Sequence, residues 1–270
     1  MRPAATSSAA DGRIRVVVNA DDFGLSDDTV QATIAAIEAG HVTSATLMPC
    51  MPASEQAIAF ARSNPQLSFG VHLTFVGDGT ERPVCAPNEV RALVDRGGGL
   101  RRTNRVRLAA LMGRLPVEQI EREIVAQVEW FRARGVDISH VDSHRHLHKL
   151  GPFREALSRA LPRLGITRVR NVQDLYLRRP MASPTAWFGQ HWREDLMQRF
   201  TTTDHFYMPA SAGDTSWTEI LARVGPGESL EIGVHPGLVE DWRSAESQGA
   251  KKFARDTLAR GIHFVDWRAV

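Results

Sequence analysis

The feature that most constrains this chain is a repeated alternation of short apolar runs with helical patterns. "RIRVVVNA" (13–20) reads as a buried strand, and "DDTVQATIAAIEAG" (27–40) has helical apolar spacing ending at Gly40. "VTSATLMPC" (42–50) and "ASEQAIAFARSN" (53–64) repeat the pair, and "LSFGVHLTF" (67–75) is a third strand. "PVEQIEREIVAQVEWFRARG" (116–135) is a long amphipathic helix with Ile120, Ile124, Val128 and Phe131 on its apolar face. "ISHVDSH" (138–144) gives a fourth strand and "FREALSRALPRLG" (153–165) the next helix. "TRVRNV" (167–172), "SLEIGVH" (229–235) and "IHFVDW" (262–267) supply later strands. Such alternation dictates parallel strands joined by right-handed crossovers. The series predicts an α/β fold, an irregular (β/α) barrel of about seven parallel strands. A doubly wound nucleotide-binding sheet is disfavoured, because no G-x-G-x-x-G or Walker motif follows any strand.

No internal repeat or linker divides the chain, so residues 13–270 are expected to form one domain behind a disordered tail, 1–12. Two segments interrupt the rhythm. Residues 76–115 are polar and glycine-rich, and 173–228 read as irregular while carrying Trp187, Phe188, Trp192, Phe206 and Tyr207. Insertions of this length in a barrel serve as lids, binding loops or plain solvent-facing excursions. Arg96, Arg101, Arg102, Arg105 and Arg107 within the first read as a solvated basic loop. A net charge of +2 is too small to argue for nucleic acid or a membrane surface as partner, and neither is expected. There is no apolar run long enough for a membrane span and no secretory h-region at the start. Cys50 and Cys85 make neither a disulfide framework nor a metal motif. A cytoplasmic enzyme-sized protein is the expectation; its oligomeric state is left open, a homodimer among the options.

Polar residues at strand ends carry the chemical information. The first strand runs into "ADDFG", ending in adjacent carboxylates Asp21 and Asp22. The third ends at His72, the fourth enters "DSHRHLH", and "SLEIGV" leads to His235. In a parallel barrel these ends share one mouth. Two adjacent buried carboxylates need a cation, a proton or hydrogen bonds to compensate them. A carboxylate with two imidazoles suits a divalent metal, and the second aspartate would be left as a general base. Strand alternation separates adjacent residues, so the loop after the strand must turn both aspartates inward, helped by Gly24. Asp27 and Asp28 are placed to cap the following helix, which frees the doublet. An extended "HRHLH" would put His144, His146 and His148 on one side, together with Asp142.

"VNADDFGLS", "GVHL", "HVDSHRHLH" and "EIGVHPG", in this order and spacing, resemble the YdjC-like family of carbohydrate deacetylases, which includes chitooligosaccharide and hopanoid-associated deacetylases. The resemblance extends from about residue 14 to 267. It implies a barrel related to the glycoside hydrolase/deacetylase superfamily and a divalent metal ion, Zn²⁺ or Mg²⁺. The implied reaction is removal of acetyl groups from an N-acetylated sugar or oligosaccharide. Matched motif by motif, Asp22, His72 and His144 would be metal ligands, Asp21 the general base and His235 the general acid. Arg170 in "RVRN" would orient Asp21, although the proline-containing continuation associated with that arginine is absent. His146 and His148 would support the ligands, with His148 as reserve third ligand, while Trp187 or Phe206 would stack on a sugar ring. Two alternatives stay open. One is another metal hydrolase, such as a phosphoesterase or cyclic amidohydrolase; the other is a non-catalytic metal- or sugar-binding protein on the same scaffold.

Overall fold

The first strand, β1 (Ile14–Phe23), is longer than its apolar run and includes the aspartate doublet. Val16, Val17 and Val18 are buried on both faces of the strand, as a central parallel strand requires. In this computed structural model, residues 12–79, 81–178, 184–210, 214, 216–257 and 261–270 are described. The expected tail lies outside them apart from Gly12. Around β1 stand β2 (Ser44–Leu47), β3 (Ser68–Leu73), β4 (Val141–Ser143), β5 (His205–Tyr207), β6 (Ser229–Val234) and β7 (Ile262–Phe264). All the pairings are parallel, in the order β4-β3-β2-β1-β6-β5, with β7 added beside the start of β1.

The gap between β4 and β5 is bridged by the segment expected as a strand at 167–172. It forms single bridges rather than a regular strand: Val141 to Val169 on one side, Arg168 to Thr201 on the other. Arg170 N–H donates to the Val141 carbonyl at 3.0 Å, and Val169 N–H to that of Thr201 at 3.0 Å. Leu175 then bridges to Tyr207 of β5. These bridges curl the parallel sheet into the irregular barrel the alternation implied.

Helices cover the outside: α1 (Asp27–Glu38), α2 (Ser54–Ser63), α3 (Thr103–Leu111), α4 (Val117–Arg132), α5 (Gly151–Ala160), α6 (Pro184–Arg199) and α7 (Asp241–Thr257). On α4, Ile120, Ile124, Val128 and Phe131 are fully buried, as their spacing required. The cap of α1 differs from expectation. Ser26 is the N-cap and forms a capping box with Thr29, while Asp27 and Asp28 occupy the first turn. Both interruptions also contain regular structure, since 76–115 holds α3 and 173–228 holds α6 and β5. Their polar composition masked this. Among the described residues, no helix is long and apolar enough to cross a membrane.

Candidate metal centre and active site

The last residues of β1 depart from strand geometry where the chemistry requires it. The register against β2 shifts between Ala20 and Phe23, and Asp22 takes a left-handed conformation with φ 59°. Aspartate tolerates that region better than most residues. This break, rather than Gly24 alone, cancels the alternation that would send Asp21 and Asp22 to opposite sides. Both carboxylates are buried, at 1% and 2% exposure.

Asp22 meets two imidazoles. Its Oδ1 lies 3.0 Å from His144 Nδ1 and 3.4 Å from His72 Nε2. One donor atom from each of the three residues falls within 4.8 Å of the others, so this buried trio could hold a cation. The donor set, one carboxylate oxygen and two imidazole nitrogens, suits a first-row transition ion and leaves coordination positions for small ligands. Burial alone would raise the Asp22 pKa, but His144 beside it and hydrogen bonds from both imidazoles hold it well below the usual carboxylate range.

His72 is oriented from behind. Its Nδ1 lies 2.7 Å from Asp142 Oδ1, and Thr46 Oγ1 donates to Asp142 Oδ2 at 3.1 Å. A carboxylate on the far nitrogen fixes the tautomer and turns Nε2 toward the centre. Burial disfavours the imidazolium, yet the Asp142 charge and hydrogen bond push the His72 pKa up to about 10.

Asp21 belongs to a second buried cluster around Arg170, which is fully buried. The guanidinium grips Asp21 with two bonds, Nη1 to Oδ2 at 2.5 Å and Nη2 to Oδ1 at 2.7 Å. It also pairs with Asp142 at 2.7 Å and with Glu231 at 2.7 Å. Burial works to raise the Asp21 pKa, but the charge and hydrogen bonds of Arg170 overcome it and keep the carboxyl well below its ordinary value. Glu231 goes the other way, since burial outweighs Arg170 and pushes it up to about 7.

His235 completes the mouth. Glu246 on α7 accepts from the His235 backbone N–H at 2.7 Å and lies 3.1 Å from its Nδ1. Burial would lower the His235 pKa, but the Glu246 hydrogen bond and the Asp22 charge raise it. The charge of His235 also acts on both Asp21 and Asp22.

The structure brings Asp21, Asp22, His72, His144, Arg170 and His235 to one place. The "HRHLH" segment is a tight 3₁₀ turn kinked by left-handed Arg145 and His146, not an extended run. Its three histidines therefore do not share one side. His148 Nδ1 lies 2.8 Å from Ser143 Oγ, and burial with the Arg170 charge lowers its pKa to about 3. Its nitrogens are not among those converging with Asp22. His146 contacts the Met208 sulfur at 3.2 Å and the Phe206 ring at 5.9 Å. Phe206, expected as a sugar platform, is only 1% exposed, with the Arg170 guanidinium 4.8 Å above its ring. The side chain of Trp187 lies outside the described residues.

Several contributors were not anticipated. Arg243 Nη2 donates to Asp22 Oδ2 at 2.8 Å, and Glu246 grips His235. Both stand on α7 three positions apart, on one face of the helix that follows "GVHPG". Glu231 was legible in principle, because a lone acid in the apolar strand "SLEIGV" must find a buried partner.

A model of the YdjC-like protein family matches residues 15–264. The carbohydrate deacetylase of Geobacillus stearothermophilus is 32% identical over 229 residues, 83% of this chain and 80% of that protein. That of Brevibacillus brevis (strain 47) is 32% identical over 247 residues, 88% of each chain. That of Vibrio vulnificus (strain CMCP6) is 31% identical over 239 residues, 88% of this chain and 84% of the relative. A crystal structure from Enterococcus faecalis V583 superposes with a TM-score of 0.75 at 22% identity, covering 95% of this chain and 98% of that one, and shares the fold. With the family model matching from the first strand to the last, this chain belongs to the YdjC-like protein family.

Proposed function

We propose that the protein is a divalent-metal-dependent deacetylase hydrolysing the N-acetyl group of an N-acetylated amino sugar or oligosaccharide. One observation carries the reading: Asp22, His72 and His144 converge from three strand ends beside a second carboxylate, Asp21, that Arg170 holds ionised. The names of the relatives, carbohydrate deacetylases at about the same third of identity, supply the substrate class. Asp22, His72 and His144 would hold the ion, Zn²⁺ or Mg²⁺, which supplies Lewis-acid polarisation of the acetamide and of the attacking water.

The chain's own groups do the rest. Arg170 fixes Asp21 through two hydrogen bonds and keeps it ionised, so Asp21 takes the proton of the attacking water. His235, held protonated by Glu246, gives a proton to the departing amine nitrogen as acetate leaves. Asp142 keeps His72 turned inward through both chemical steps. The test is acetate release from a panel of N-acetylglucosamine oligosaccharides by metal-stripped protein reconstituted with each cation. Release restored by one or more cations supports the reading; no acetate with any cation overturns it.

A further inference from the structure

The basic segment at 96–107, which reads as a solvated loop, instead lines a cleft of about 1620 Å³. The cleft is built and anchored. Val94 pairs with Leu100 in an antiparallel bridge, and Arg101 ties it down through Nε to the Val94 carbonyl at 2.7 Å. Asp78 accepts from Thr103 N–H at 3.2 Å and from its hydroxyl at 2.5 Å, fixing the start of α3. Arg107 Nη2 donates to the Arg145 carbonyl at 2.9 Å, tying α3 to the turn that carries His144. The cleft lies beside the candidate metal centre: Arg145 of its lining directly follows His144, and the His144 charge acts on Asp78 in the same lining.

Its charge is not balanced from within. Arg96, Arg102 and Arg105 are exposed to the cleft and form no ion pair among the described residues. The two acids in the lining are engaged elsewhere: Asp78 holds Thr103, and Asp95 accepts from Gly97 N–H at 2.8 Å. Arg145 Nε approaches Asp78 only to 3.5 Å. Seven arginines against two carboxylates leave this concave wall with an excess of guanidinium groups, a receptor for carboxylate or phosphate oxygens, which their planar fork matches in pairs. The volume exceeds the roughly 300–1,000 Å³ typical of a single small ligand.

We propose that this cleft is a subsite for an acidic stretch of saccharide, with sugar units bearing carboxylate or phosphate-ester groups leading away from the metal centre past Arg145. The inference deepens the deacetylase reading by naming the charge of its substrate, and rests on that reading only for the acetamide end.

The test uses probes without an acetamide, so absence of deacetylase activity leaves it interpretable. The full chain is titrated calorimetrically with tetragalacturonate as the carboxylate arm, glucosamine 6-phosphate as the phosphate arm, and cellotetraose as the neutral control. At least one acidic probe should bind about tenfold or more tighter than cellotetraose, and raised salt should weaken it, because exposed charges are screened. Which arm binds identifies the anionic group. The Arg96→Gln/Arg102→Gln/Arg105→Gln variant should lose that preference by about tenfold, and Arg105→Gln alone should lose part of it. Acidic probes binding no better than cellotetraose would overturn the proposal, as would unchanged affinity in the folded triple variant.

Discussion

Arg243 reaches from α7 across the barrel mouth to donate from Nη2 to Asp22 Oδ2 at 2.8 Å, leaving Oδ1 to face His144 and His72. The two oxygens of one carboxylate are thus divided between a permanent cation and the candidate metal centre. Both side chains are nearly fully buried, at 5% and 2% exposure. Removing one partner of such a pair leaves an uncompensated charge and typically costs about 3–5 kcal/mol. Arg243→Ala should therefore lower the thermal midpoint of the metal-free protein. Added metal should then raise the midpoint more than in the parent, because the carboxylate left without Arg243 gains more from a cation. Thermal unfolding with and without Zn²⁺ measures both; an equal metal-induced rise in the two proteins would count against Asp22 as ligand.

The two aspartates, though adjacent, should behave differently when neutralised. Asp22→Asn and His144→Ala should each lose bound metal and activity together. Asp21→Asn should retain metal, because Asp21 engages Arg170 and Asn19 instead of the trio, yet lose about 10²–10⁴-fold in kcat, the usual worth of a general base. Arg170 keeps Asp142 and Glu231 as counter-charges, so that variant should remain folded. Metal content by atomic absorption beside acetate-release kinetics separates the cases. Full activity in Asp21→Asn would remove it from its assigned role.

Much of this arrangement was legible because it depends on what strand ends do. Asp22, His72, His144 and His235 each terminate an apolar run, and parallel topology alone sends such residues to one mouth. What failed was local conformation. "HRHLH" has the spacing of an extended segment, but left-handed Arg145 and His146 wind it into a turn that puts His144 against Asp22 and His72 and pairs His146 with His148. Single-sequence alternation cannot register that kink. Arg243 and Glu246 were missed for another reason: an amphipathic helix hides which of its polar residues point back over the barrel rather than into solvent. The segment 167–172 lies between these cases. Its residues take their expected place, and Arg170 its expected partner, without forming a regular strand.

The pH profile should report the pairing of His235 with Glu246. A general acid must be protonated to work, so activity falls as pH rises through its pKa. The Glu246 carboxylate favours the imidazolium, which moves that alkaline limb above the ordinary histidine value. Glu246→Gln removes the favouring charge and should shift the limb toward lower pH while leaving metal content unchanged. The pH dependence of kcat/KM on any hydrolysed N-acetylated sugar checks this. A limb that stays in place would assign the proton to another group.

Metal binding should itself be coupled to protons through His72. Without a cation, Asp142 holds its imidazole protonated, with a pKa of about 10. The same Nε2 must be bare to bind a metal, so binding at neutral pH expels close to one proton from this residue. Affinity should then climb by roughly tenfold per pH unit below that pKa and flatten above it. Asp142→Asn weakens the hold on the proton but also frees the ring to rotate, so two opposing changes follow. Fewer protons should be released per metal at neutral pH, while affinity falls by about 10–100-fold, the usual loss when such a partner is removed. Calorimetric titration of Zn²⁺ in buffers of different ionisation enthalpy counts the protons directly. Release that is identical in the parent and Asp142→Asn would mean that His72 does not exchange its proton for the ion.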